Sequence, residues 1–195
     1  MVEGRRILAL DLGLRHMGWA FGVQGSDGLL TPPRFGLVKL PGSSHLGTTY
    51  GCLRNALEEL VIDHRPAIVR WVPAFVAQGR TSAAVGEGLV GIQAVLRLVC
   101  YDNDLALHST TDRTARKQIL GRADFGLHDP KTGALIPNSG RAEAKAAVLR
   151  WCEAQGYAVP SHDVGDALVL LHWVEDAERK GGRSGWQGTP PRLHG

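Results

Sequence analysis

The sequence has few cysteines, and their arrangement excludes two structural classes. Its three cysteines are widely spaced, odd in number and form no Cys-x-x-Cys pair: Cys52, Cys100 and Cys152. Such spacing argues against a disulfide framework or a structural zinc site and is typical of a reducing compartment. The eight histidines also lack zinc-ligand spacing such as His-x-x-x-His. Zinc is therefore not expected.

A signal-peptide layout and an apolar run of transmembrane length are also not found in the sequence. With 195 residues, of which 44% are hydrophobic and 21% charged, the composition is typical of one globular domain. We expect a cytoplasmic protein with no membrane partner. Its single domain should span residues 1–180, followed by a flexible Gly/Pro-rich tail over residues 181–195. The net charge of +3 permits nucleic-acid binding without requiring it.

The stretch from residue 6 to residue 23 predicts a central hairpin. Residues 7–10 are continuously apolar, as in a strand covered on both faces, and Asp11 follows them. After a glycine turn, apolar residues alternate as in a partner strand: Trp19, Phe21 and Val23. An acid at the mouth of a buried strand needs a partner, although a turn aspartate that caps loop amides is the alternative interpretation.

Further periodic patterns predict the remaining elements. Strands are expected at residues 35–40, 67–72 and 105–109, and helices at residues 45–64, 81–101, 113–120, 141–155 and 161–180. Three antiparallel-looking strands followed by alternating helix and strand predict an α/β fold with a mixed sheet covered by helices. The second helix contains three glycines, which are poor helix formers: Gly86, Gly88 and Gly91. They predict close packing of this helix against another backbone, either in the same chain or across a dimer interface.

Two further acids begin the last predicted helix. Asp163 and Asp166 are three residues apart, so their side chains share one face. Acids in a first turn are also explained by the positive end of the helix dipole. The face of Asp166, however, continues to Leu170 and Trp173, which indicates that Asp166 points toward protein. If three acids converge, a cation is the expected partner, and oxygen ligands favour Mg²⁺ or Mn²⁺.

Five segments, in this order, resemble the RuvC-type Holliday-junction resolvases of the RNase H-like nuclease superfamily: residues 7–19, 79–82, 114–121, 141–148 and 162–171. The resemblance covers roughly residues 5–175. It implies an RNase H-like sheet of five strands, three antiparallel and then parallel. It also implies a homodimeric, metal-dependent endonuclease that cleaves branched DNA, foremost Holliday junctions, by paired symmetric nicks.

The resemblance also implies the site residues. Asp11 matches the family's first-strand acid, and Asp163 and Asp166 match the two acids near the C-terminus. Together they imply two bound Mg²⁺ or Mn²⁺ ions about 4 Å apart. The family's glutamate at the end of the fourth strand is replaced here by Trp71. Either Glu87 supplies the missing catalytic carboxylate, although it lies opposite an apolar helical stripe, or the site has three acids and is impaired.

Basic side chains predict the DNA contacts, through neutralised phosphates and a strong salt dependence. For any single one, a solvated surface position is the alternative. The candidates are Arg80, Arg113, Arg116, Lys117 and Lys145.

Two other functions fit parts of the sequence. Loss of the glutamate at Trp71 is compatible with a protein that binds junctions without cleaving them. The stretch from Asp11 to Gly18 also resembles the phosphate loop of actin-like ATPases. Those enzymes need two such domains, and 195 residues without a second glycine-rich motif are too few. We therefore expect no nucleotide cofactor.

Overall fold

The computed structural model describes residues 4–41, 45–73, 82–122, 125–127, 129–134, 136 and 139–179, without the side chains of residues 176–179. Its elements are β1 (Arg5–Leu12), β2 (His16–Gln24), β3 (Arg34–Lys39), α1 (Leu46–His64), β4 (Ile68–Val72), α2 (Ala83–Asp102), β5 (Ala106–Ser109), α3 (Asp112–Leu120), α4 (Arg141–Ala154) and α5 (His162–Arg179). All predicted helices and strands are confirmed, with bounds that differ by at most two residues. Arg80 and the predicted tail lie outside the described residues.

The five strands form one sheet in the order β3-β2-β1-β4-β5. β1 pairs with β2 and β2 with β3 in antiparallel fashion, whereas β1–β4 and β4–β5 are parallel. The predicted mixed sheet is thus confirmed. Because β1, β4 and β5 run in one direction, their carboxyl ends meet at one edge, which is where ligands bind in open α/β sheets.

Helices cover both faces of the sheet, as the alternation of side chains along β1 requires. Leu8 and Leu10 point to the face covered by α1 and α2, where they join one buried cluster. Ile7 and Ala9 point to the opposite face and join a second cluster with α5. Asp11 continues the Ile7–Ala9 alternation, so its side chain lies on the α5 side.

The glycines of α2 pack closely within the chain. A Cβ atom at Gly88 would lie 2.8 Å from a methyl carbon of Leu14, and one at Gly91 would lie 2.0 Å from the hydroxyl oxygen of Tyr50. Close packing is present at these two positions, but the predicted approach to another backbone is not seen there. The contacts, however, are made by side chains of the same protomer.

The expectation that no apolar run approaches transmembrane length does not hold for α2 when length and composition alone are considered. By these two criteria alone, Ala83–Asp102 is long and apolar enough to cross a membrane. A single such helix is weak evidence, because core helices of globular proteins meet the same criteria. In this fold, Ile92, Leu96 and Val99 of α2 are buried in the cluster beneath the sheet.

Candidate active site

The carboxyl edge of the sheet brings three acids to one small pocket. Asp11 lies near the end of β1, directly beside Val72 of β4. The pocket lies between these strands and helices α3 and α5, and its lining includes Asp11, Val72, Asp112, Ala115, Arg116 and Asp166. Two of the predicted catalytic acids are therefore neighbours, although they are 155 positions apart in the sequence.

A glycine in β2 lets the first turn of α5 approach this edge. Gly18 pairs with Asp11 across the β1–β2 ladder. A Cβ atom at Gly18 would lie 2.1 Å from the carbonyl oxygen of Asp163 and 2.6 Å from the amide nitrogen of Val164. Only glycine allows this backbone-to-backbone contact. The amide of Val164 donates to the hydroxyl of Ser161 at 3.3 Å, which caps the start of α5.

Asp11 is the electrostatic centre of the pocket. Burial of its carboxyl group raises its pKa well above the ordinary value. The negative charges of Asp166, Asp163 and Asp112 raise this pKa further, and Arg116 acts in the opposite direction. Burial and the neighbouring acids shift Asp11 toward the neutral acid, whereas a bound cation would shift it toward the carboxylate.

Asp166 is held by an arginine from α3. The Nε and Nη2 atoms of Arg116 both donate to Oδ1 of Asp166, at 3.1 and 2.8 Å. The Nη1 atom of Arg116 lies 3.6 Å from Oδ2 of Asp112. Burial raises the pKa of Asp166, and the charge and hydrogen bonds of Arg116 partly offset this effect. Arg116 thus neutralises much of the charge on the α3–α5 side of the pocket.

Asp163 lies beside the pocket between two histidines. Its Oδ1 atom is 3.0 Å from Nε2 of His162, and its Oδ2 atom is 3.9 Å from Nδ1 of His16. Its charge contributes to the raised pKa of Asp11. Asp163 therefore acts on Asp11 through electrostatics but is not part of the pocket lining.

The donor set suits a hard divalent cation, but the ligands are not pre-arranged. Within the described part of the chain, no group of three His, Cys, Asp or Glu side chains is placed to hold a metal ion. The chemistry nevertheless fits, because carboxylate oxygens are the preferred ligands of Mg²⁺ and Mn²⁺. Asp11 is also a buried acid surrounded by like charges, which a cation would relieve.

The position on β4 that faces the pocket is Val72, and Trp71 points the other way. Trp71 pairs with Leu10, is 3% exposed and packs in the cluster under α1 and α2. A glutamate at position 71 would therefore enter that apolar cluster. A carboxylate beside Asp11 would have to stand at position 72, which is occupied by valine.

Glu87 is not brought to the pocket. It is an exposed residue of α2, which covers the opposite face of the sheet from α5. Its backbone carbonyl lies 3.3 Å from the hydroxyl of Tyr50 on α1. The position of Glu87 agrees with an exposed surface acid.

The predicted DNA-contacting residues lie in different surroundings. Arg113 and Lys117 are exposed on α3, the helix that borders the pocket, and Lys145 is partly buried on α4. Arg116 points into the acid pocket instead of toward solvent. Arg80 lies outside the residues that can be described.

Asp112 and His16 were missed by the sequence analysis. Asp112 begins α3 and is separated from the end of β5 by two residues, and Thr111 caps that helix by accepting from the amide of Thr114 at 3.1 Å. An acid that follows a parallel strand was a usable indication, since the carboxyl ends of such strands converge. His16 carried no comparable indication.

No protein-family model matches the chain. Its sequence is 25% identical over 182 residues to the crossover junction endodeoxyribonuclease RuvC of Streptomyces coelicolor, across 89% of this chain and 93% of that protein. The resemblance to RuvC-type resolvases is confirmed. The structure of Thermus thermophilus RuvC superimposes with a TM-score of 0.63 and 15% identity, covering 91% of this chain and 97% of that one. The yeast mitochondrial Holliday junction resolvase gives a TM-score of 0.53 and 14% identity, with coverages of 93% and 82%. These RuvC neighbours show that the fold is RNase H-like.

Proposed function

We propose that this RuvC-like chain is a metal-dependent endonuclease that cleaves branched DNA, foremost Holliday junctions, by paired symmetric nicks. The observation that carries this proposal is the acid pocket at the carboxyl edge of the sheet, where Asp11 and Asp166 meet and Asp163 lies beside them. The Streptomyces relative is a crossover junction endodeoxyribonuclease, and Thermus RuvC has been seen in complex with a Holliday junction substrate. Both support a junction as the substrate.

In this proposal Asp11, Asp163 and Asp166 hold Mg²⁺ or Mn²⁺, as two ions. When bound, such ions activate water and stabilise the leaving oxygen of a phosphodiester. A bound cation would favour the carboxylate form of Asp11, because its charge would offset the burial and the acidic neighbours that raise the pKa of Asp11. Glu87 is left out of the proposed catalytic set, since it is exposed on the opposite layer.

The basic residues beside the pocket are proposed to bind the DNA backbone. Arg113 and Lys117 project from α3, and Lys145 lies on the neighbouring α4. Phosphate neutralisation by such side chains makes affinity fall steeply as salt rises. Arg80 is included in the proposed set because the sequence predicts it as a DNA contact.

A homodimer is proposed to use the outer face of α2. Three large apolar side chains on this face are exposed at helical spacing: Val90 at 58%, Leu98 at 50% and Tyr101 at 77%. We refer to these three residues as the α2 stripe. Exposed apolar surface of this kind marks interaction sites. A two-fold dimer would place one pocket on each of two symmetric strands of a four-way junction.

Cleavage of a labelled synthetic four-way junction tests the function. With Mg²⁺ or Mn²⁺ we expect paired nicks from the wild-type protein, and none with EDTA. Asp11→Asn should lower the rate by roughly 100-fold or more, because several kcal/mol of charge stabilisation depend on the bound ions. Glu87→Gln is the matched carboxylate control and should nick at the wild-type rate. Equal nicking by the Asp11 and Glu87 variants would contradict the proposed site.

Junction binding without cleavage is the second candidate function. It is favoured by Val72, which leaves β4 without an acid beside Asp11, and by the pairing of Asp166 with Arg116. Salt-sensitive binding of the wild-type protein to the junction, with no nicks in either metal, would support this alternative.

A further inference from the structure

Arg116 is the basic side chain in the lining of the acid pocket. All three guanidinium nitrogens face acids: Nε and Nη2 bond Oδ1 of Asp166, and Nη1 lies 3.6 Å from Asp112. The side chains of Arg116 and Asp166 are 18% and 13% exposed. A shielded, charge-assisted pair of this kind is stronger than an ion pair on the open surface.

Asp11 does not share in this pairing. In the portion of the chain that is described, Asp11 senses Arg116 only as a nearby charge, and no side chain donates a hydrogen bond to its carboxyl group. Among the described residues, Arg116 thus faces three acids in one pocket, and its side-chain hydrogen bonds go to Asp166. The pocket keeps an acid without a hydrogen-bonded counter-ion beside an acid that has one.

The hydrogen bonds of Arg116 occupy one of the two carboxylate oxygens of Asp166. Mg²⁺ and Mn²⁺ need several oxygen ligands with lone pairs directed at the ion. Two N–H groups of Arg116 are directed at Oδ1 of Asp166. Because β4 contributes Val72 instead of a further carboxylate, the pocket cannot replace that oxygen from the sheet.

We propose that Arg116 is a built-in competitor of the divalent cation for Asp166, and that metal binding displaces its guanidinium. This inference rests on the metal-dependent function proposed above. Asp112 can pair with the guanidinium of Arg116 once that group has left Asp166. Asp112 lies one helical turn earlier on α3, and the side chain of Asp112 is 51% exposed. The same helix can therefore hold the arginine in either position.

The affinity for Mn²⁺, measured by titration calorimetry, tests the competition. Arg116→Gln should bind Mn²⁺ roughly tenfold more tightly than the wild-type protein, because the ion no longer has to break hydrogen bonds to a charged group. Arg54→Gln is the matched control, since it removes the Arg54–Glu58 pair on α1, and its affinity should be unchanged. The gain should vanish in the double variant Arg116→Gln/Asp166→Asn.

A folding defect is checked with a second variant. Arg116→Gln leaves Asp166 without its partner, so thermal melts in EDTA should accompany the titration. Arg116→Lys keeps the positive charge but loses the two hydrogen bonds to Asp166. Its affinity for Mn²⁺ should therefore lie between those of the wild-type protein and Arg116→Gln. If Arg116→Gln does not fold, a gain in Arg116→Lys decides in favour of the competition.

Unchanged or weaker Mn²⁺ binding in the Arg116 variants would overturn the inference, since Arg116 would then orient Asp166 for the metal. Absence of Mn²⁺ binding by every variant would overturn it as well. Junction cleavage separates this inference from the proposed function. If the wild-type protein nicks the junction with Mn²⁺ and Arg116→Gln has an unchanged affinity for Mn²⁺, the competition is refuted and the proposed nuclease function is supported. Tighter binding in Arg116→Gln without any cleavage supports the competition and refutes the nuclease.

Discussion

At the scale of single residues, the buried carboxyl group of Asp11 lowers the stability of the fold when it ionises. Its raised pKa means that the folded protein keeps a proton that the unfolded chain releases at the same pH. Ionisation of Asp11 therefore costs stability above its folded-state pKa. Below the unfolded value of about 3.8, both states are protonated and the cost vanishes.

We predict that Asp11→Asn stabilises the protein in EDTA at pH 7. The free energy of unfolding should rise, because asparagine removes the charge whose burial beside Asp166 and Asp163 disfavours the folded state. The gain should shrink as the pH approaches 3.8. Urea unfolding at pH 7 and pH 4 measures both values, with the exposed Asp63→Asn as a control that should change neither. An equal gain at both pH values would show that charge is not the cause.

The close approach of α5 to Gly18 leads to a second prediction for a single residue. Gly18→Ala should lower the free energy of unfolding by about 2–4 kcal/mol, because the new methyl group collides with backbone atoms of Asp163 and Val164 that cannot rotate away. It should also weaken Mn²⁺ binding, since the first turn of α5 would move away from Asp11. Denaturant unfolding and the calorimetric titration provide the two measurements. An alanine variant of wild-type stability would refute the close contact.

At the scale of elements, a glycine-to-alanine substitution in α1 should raise stability, whereas Gly18→Ala in β2 should lower it. Gly51 is an exposed residue in the interior of α1, and a Cβ atom there would meet nothing within 4 Å. Gly51→Ala should raise stability by about 0.5–1 kcal/mol, because alanine loses less backbone entropy in a helix. For a domain of this size the melting temperature should rise by about 1–4 °C. A lower melting temperature would mean that α1 packs differently.

The sequence of β4 alone does not show which of its side chains faces Asp11. Its apolar run predicted a strand, and alternation separates Trp71 from Val72 whatever the partner strand is. Which of the two faces the acid depends on the parallel register with β1, in which Asp11 pairs with Val72. That register joins two strands that are far apart in the sequence, so the pattern of β4 alone could not supply it.

At the scale of the whole molecule, the α2 stripe is predicted to join two protomers. Leu98→Glu should convert the dimer into a monomer, because a charge would be buried in an apolar interface. Sedimentation velocity measures the change, and Leu149→Glu on α4 is the matched control at another exposed leucine. The monomer should lose the paired character of its nicks. A dimer that survives Leu98→Glu would show that the interface lies elsewhere.

The sequence by itself determined the order and type of the elements, since apolar periodicity and turn residues act locally. It also indicated Asp11, Asp163 and Asp166, because acids at the ends of apolar runs need partners. The tertiary structure decided the rest: Arg116 and Asp112 join the pocket, Glu87 stays outside, and Val72 stands beside Asp11. These placements depend on which strands are neighbours and which way each side chain points. Such relations arise only when distant segments pack together.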